Sequence, residues 1–171
     1  MTELDEVWRQ MLTNAITSAR ADGRHDVADY LSLKAANDTI RAAGVKWLFD
    51  SILEIAGSAN RDGTGVTIER TEPYNFAYRG ANLVGSQIRL VQGVRCLTID
   101  AGWTRTPADG FMRGGALAVA RLRHFGLAKA NVELALLRGT DAPVWSDPSV
   151  DETASISTGH LKRHFLIFLG E

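Results

Sequence analysis

One cysteine in 171 residues leaves no intramolecular disulfide to form. Cys96 lies in VRCLTID, an alternating stretch of strand character, where a buried structural thiol is the plainer reading than a nucleophile because no His or Asn motif stands beside it. No wholly apolar run exceeds five residues, as in Ala116 to Ala120 and Phe165 to Leu169, so no stretch is long enough to span a bilayer as a helix. The opening MTELDEVWRQ is acidic where a secretory signal would be basic and then apolar, and the expectation is a cytoplasmic protein with no membrane partner.

Motifs are also missing. Neither GxxxxGK[ST] nor GxGxxG after a strand is present, so neither nucleotide-cradling fingerprint is matched. GxSxG, HExxH and CxxC are absent, which removes the usual sequence marks of a serine hydrolase, a zinc peptidase and a zinc ribbon. No RNP, KH or zinc-knuckle pattern occurs, and no repeat with a period of twenty to fifty residues.

What the chain does have is an ordinary globular composition, 45% hydrophobic and 23% charged, which at this length predicts a single domain over 1–171. Its net charge of −1 conceals a division into three segments. Met1 to Gly63 carries ten acids against seven bases, and Gly139 to Glu171 five acids against two bases. Between them, Thr64 to Arg138 carries nine arginines and one lysine against five acids. The middle is basic through arginine, whose planar fork grips phosphate or carboxylate at two points where lysine offers one.

Periodicity divides the chain at the same places. Val7, Trp8, Met11, Leu12, Ala15, Ile16 and Ala19 form one helical stripe from Asp5 to Arg20, with Thr2 and Asp5 as a capping arrangement and Gly23 as the stop. A second helix is expected from Asp26 to Ala43, stopped or kinked by Gly44, and a third from Val45 to Ala56. After SANRDG, which breaks the period, strands follow. IRLVQGVRCLTI reads as a hairpin turning at Gln92 and Gly93, and Tyr74, Phe76 and Tyr78 alternate so as to face one way. Ala116 to His124 fits a strand or a helix; strand is preferred because Val132 to Leu137 also alternates and can pair with it. The stretch GTDAPVWSDPSVDETASISTG reads as an acidic surface loop anchored by Trp145, and HLKRHFLIFLG as a closing helix capped by Ser157 or Thr158, with a buried strand as the alternative. The fold class expected is α+β: a helical segment of about three helices (1–57), packed with a curved antiparallel sheet or barrel-like meander of five to seven strands (64–138), then the acidic loop and closing element (139–171).

The unusual chemistry gathers in GWTRTPADGFMRGGALAVARLRHFG. Arg105 and Arg113 share a glycine-rich loop too long for a simple connection, and as a strand Arg121 and Arg123 share one face. Such arginines must meet a carboxylate or an anion. The function expected is a binding module for an anionic or polar ligand, a phosphate-bearing small molecule or a nucleic acid, at Trp103, Arg105, Arg113, Arg121 and Arg123, with no cofactor and no metal and with a homo-oligomer left open. His160 and His164, at i and i+4, with Asp100, Asp109 or His124, are too few for a zinc site. Two alternatives stand beside this reading. One is an enzyme acting on a phosphorylated substrate through Asp100, Asp109 and His124. The other is an assembly component whose arginines meet acidic protein surfaces.

Overall fold

A computed structural model of the chain describes residues 3–171, with side chains throughout except at positions 4, 5 and 151–153. The elements run α1 (Glu3–Ala21), α2 (His25–Arg61), β1 (Thr67–Tyr78), β2 (Ala81–Gln92), β3 (Arg95–Trp103), β4 (Ala118–His124), β5 (Val132–Leu137), β6 (Val144–Asp147), β7 (Asp151–Ser155) and α3 (Thr158–Leu169). The fold is α+β, as the switch of hydrophobic period from helical to alternating requires. The chain divides into two compact units, 1–42 and 43–171, the division falling within α2.

In the first unit, α1 turns at Gly23, whose φ of 73° is the left-handed conformation glycine tolerates, and antiparallel α2 follows. Leu12, Ala19 and Ala28 are buried, and the Lys34 ammonium lies 5.8 Å over the Trp8 ring. The Thr2 cap lies outside the described residues.

Gly44 neither stops nor kinks α2, which is one helix of 37 residues and not two. Its missing side chain serves packing instead: a Cβ there would stand 2.6 Å from Cδ2 of Leu136 on β5. Residues 58–61, read as a break, are likewise still helical; the helix ends at Arg61, and Gly63 makes the turn into the sheet.

The second unit is built on a seven-stranded antiparallel meander in which every strand pairs with its sequence neighbours. Alternation gives it two faces. One carries Ile88, Leu90, Leu97, Ile99, Ala120, Leu122 and Leu136, all buried. The later half of α2 covers this face: the Trp145 indole N–H donates to the Gly44 carbonyl at 2.9 Å, and Arg70 on β1 stacks on the Phe49 ring. α3 covers the rest with Leu161, Phe165 and Phe168, Ser157 and His160 forming its capping box. Arg95 on β3 donates to the Leu169 carbonyl at the end of that helix.

Three local expectations are met and two are adjusted. Ala118–His124 is a strand, Tyr74, Phe76 and Tyr78 share a face, and the C-terminal element is a helix capped by Ser157. The β2–β3 turn sits one residue later than expected, at Gly93 and Val94, closed by the Gln92 and Arg95 pair. The acidic stretch is no mere loop, since Val144–Asp147 and Asp151–Ser155 extend the sheet, with Trp145 buried as its anchor.

The second face is bent over itself. Gly85 and Gly102 stand opposite each other there, and a Cβ at Gly85 would meet the Ala101 carbonyl oxygen at 1.9 Å. β1 shifts register between Thr71 and Tyr74 beside them. Glycine and a bulge at one level are what a sharply coiled sheet requires. Beyond the bend, β1 reaches back to β5: the Tyr78 hydroxyl donates to Glu133 Oε2 at 2.9 Å, and Arg79 pairs with the same oxygen at 3.0 Å. Phe76, Ala81, Leu83 and Val119 fill the concavity, joined by Tyr74, Tyr78 and Met112. The sheet curls without closing.

Candidate functional site

Below the apolar end of this concave face, strand register sets side chains in rows. Gln87, Asp100, Arg121 and Glu133 lie opposite one another on β2, β3, β4 and β5. The next row is Glu69, Arg89, Thr98 and Arg123 on β1 to β4.

Asp100 is the hinge of the first row. Its side chain has no exposed surface, and all its partners are in place: Arg121 at 2.9 Å and Arg123 at 2.7 Å donate to Oδ2, and Gln87 Nε2 donates to Oδ1 at 2.8 Å. A buried carboxylate is tolerated only with such pairing. Two guanidiniums on one carboxylate leave a surplus positive charge in the network. The two arginines spend it differently. Arg121 is held by more than the carboxylate, 4.6 Å over the Phe76 ring and donating to the Ala77 carbonyl at 3.3 Å, though its buried Nε has no hydrogen-bond partner, whereas the Arg123 side chain keeps 44% of its surface in water.

The exposed part of Arg123 borders a cleft of about 390 Å³, lined also by Arg89, Thr98, Cys96, Phe125 and Asn131. Arg89 faces Arg123 across Thr98, two strand spacings or about 10 Å away at the backbone, within reach of long side chains converging on one group. Arg89 pairs with Glu69 at 2.6 Å, but both are about half exposed, so the pair is weak and open to exchange. Asn131 Oδ1 accepts from the His124 backbone N–H at 2.7 Å, which fixes the rim and leaves the amide N–H groups as its remaining donors.

The five arginine-loop residues expected to act together fall in three places. Arg121 and Arg123 share the concave face, as their spacing predicts. Trp103 is buried and has the parity of Ile99 and Ala101, so it belongs to the opposite face, with the Arg105 guanidinium 3.9 Å over its ring. Arg113 is exposed in the loop. That loop contains a short 3₁₀ turn, Pro107–Asp109, pinned by Asp109, which accepts from the backbone N–H of Arg105 at 3.1 Å and of Thr106 at 2.9 Å. Its Met112 rests on the apolar cluster, so the loop lies at the concave face's far end. Arg89 and Thr98 escaped the sequence reading; their alternation was visible, but the cross-strand register that seats them beside Arg123 was not.

The acid–base set does not assemble either. Asp100 is enclosed on the concave face. Asp109 caps its own loop, where the Thr106 backbone N–H holds its carboxyl below the usual range. His124 has the parity of Leu97 and Leu122 and lies against α3, its Nε2 3.0 Å from Nδ1 of His164 with the rings stacked. Burial lowers the His124 pKa, and burial, helped by His124 and Arg163, pushes His164 down to about 4, Asp147 opposing. His160, the other half of the i, i+4 pair, turns to the cap, accepting the Ser157 backbone N–H at 3.1 Å. Among the described residues no three His, Cys, Asp or Glu side chains converge where they could hold a metal ion. No described helix is long and apolar enough to cross a membrane. No family model matches this chain, and comparison with curated proteins and with solved structures finds no match.

Proposed function

We propose that this protein binds a small anionic ligand, bearing phosphate or carboxylate, in the cleft floored by Arg89, Thr98 and Arg123, as a cytoplasmic binding module. The observation that supports the reading is the shared carboxylate: Asp100 neutralises only one of its two arginines, and the one left facing water is Arg123, at the cleft. Thr98 offers a hydroxyl between two guanidiniums, a donor set suited to a tetrahedral or planar oxyanion. A nucleic acid fits less well, because Phe76 is buried and Tyr74 and Tyr78 are half-buried, which leaves the exposed Phe125 at the cleft rim as the one phenyl ring beside the arginines where successive stacked bases would need several. Within this reading Arg121 positions Asp100 and Arg123 and does not touch the ligand, while Trp103, Arg105 and Arg113 stand away from the anion.

Calorimetric titration with inorganic phosphate and a panel of phosphorylated and carboxylated metabolites at low salt tests it. Binding should weaken at least about tenfold in Arg89→Ala and in Arg123→Lys, the loss of one charge-assisted contact or of its fork. Wild-type protein that takes up no anion, or takes up only oligonucleotides, would refute the proposal.

A further inference from the structure

We propose that the chain forms a homodimer in which the α1–α2 hairpin of one copy packs on that of another, making a four-helix layer. The hairpin buries little within itself. Val7, Met11, Tyr30 and Leu33 each leave more than half of their surface in water, and Trp8 leaves 42%.

These five residues form one strip. Each helical residue turns the chain by about 100°. With Leu12, Ile16 and Ala19 marking the side of α1 that faces α2, Val7 and Met11 point about 110–150° to one flank, and Trp8 leans the same way. With Ala28, Leu31 and Lys34 marking the side of α2 that faces α1, Tyr30 and Leu33 lie about 100–160° round in the same rotational sense. The helices are antiparallel, so both offsets fall on the same side of the hairpin. They also lie at the same height, since Lys34 reaches over Trp8. The other side carries Thr13 and Arg20 from α1 and Ser32 and Thr39 from α2. The hairpin is therefore amphipathic as a unit, apolar on one broad side and polar on the other.

Area selects the occupant. The exposed parts of five such side chains amount to on the order of 500 Å² of apolar surface, at the upper end of the largest patch an ordinary monomer shows. Two copies face to face remove at most about 1,000 Å², the lower bound for a specific interface and the size of a weak dimer that forms at micromolar concentrations. The one charge set on the strip is the Lys34 ammonium over Trp8, which Asp38 meets at 3.4 Å; the rest is apolar, and an apolar side of a two-helix layer is complemented by another of the same kind. Two hairpins so joined bury their stripes on both sides of one seam, the arrangement of a four-helix bundle.

Analytical ultracentrifugation of the full chain at tens of micromolar reads the outcome. Wild-type protein should sediment at twice the 18.6 kDa chain mass. Met11→Glu and Leu33→Glu should each give the single-chain mass with helical circular dichroism kept, because both positions are exposed in the chain, while Thr13→Glu on the polar side should stay dimeric. A wild-type protein that is monomeric throughout that range overturns the proposal and leaves the strip to a different protein. So does a dimer that survives both Met11→Glu and Leu33→Glu.

Discussion

The Tyr78 hydroxyl meets Glu133 at 2.9 Å although their strands are first and fifth in the sheet. A flat sheet would hold those strands about 19 Å apart, so this bond measures the curl. Tyr78→Phe should cost about 1 kcal/mol in chemical denaturation, the worth of one partly exposed hydrogen bond. Burial first, and then Glu133, raise the Tyr78 pKa. The phenol thus holds its proton more tightly folded than unfolded. The stability this adds is present below pH 10 and is lost as pH rises through the folded value, and phenolate absorbance should show one tyrosine ionising later than the others, a delay that Glu133→Ala should shorten while burial keeps the rest.

Asp100→Asn should be among the most damaging single changes on the concave face. It removes the charge that two arginines share, and one-sided removal of a buried ion pair costs about 3–5 kcal/mol. Both guanidiniums retain some contact with water, so a loss near the low end of that range is expected. Equilibrium unfolding of Asp100→Asn against Asp100→Asn, Arg121→Gln would show partial recovery, since the second change removes one stranded charge.

The His124 and His164 pair predicts acid sensitivity. Both rings are held neutral, His164 down to about 4. A histidine whose folded pKa lies below its unfolded value takes up more protons unfolded, so stability rises with pH across that window. Melting temperature should fall as pH drops from about 6.5 toward 4. His164→Phe should flatten that fall; an unchanged slope would show that other groups set it.

Gly85→Ala should prevent the bend. Its Cβ would collide with backbone, which cannot move aside as a flexible side chain can, and a loss of about 3 kcal/mol or more is expected. Gly44→Ala, set against the side chain of Leu136, should cost less, partly offset by the gain of about 1 kcal/mol in helix propensity. Comparing the two by thermal unfolding separates backbone collision from side-chain crowding.

Much of this architecture was legible because it depends on local periodicity. Arg121 and Arg123 share a face by strand alternation alone, and the need for a carboxylate to meet them follows from the cost of burial. Which carboxylate answers is a matter of register: Asp100 stands directly opposite Arg121 on the neighbouring strand, and nothing within β4 specifies that. Gly44 misled for a similar reason. Glycine usually punctuates a helix, but here its vacancy is filled by a leucine 92 positions onward, a contact invisible to any window along the chain. β6 and β7 were hidden by brevity, four and five residues among prolines and acids, too short to establish a period. Arg123 was named from its spacing to Arg121, but Arg89 joins it only when the strands are laid side by side.

The nearest-neighbour order of the seven strands bears on how the molecule assembles. Every ladder joins segments adjacent along the chain, so all the hairpins but β3–β4, whose connection runs from Thr104 to Leu117, close short loops, and the entropic cost of association stays small at most steps. The bonds that span long stretches include Tyr78 with Glu133, 55 residues apart, Arg95 with the Leu169 carbonyl, 74 apart, and Trp145 with Gly44, 101 apart. Zippering outward from β2 and β3 can therefore run ahead of them. The tip of β1 and the seating of β6 on α2 then fall at the end of the folding sequence, and substitutions there should change the unfolding rate far more than the folding rate.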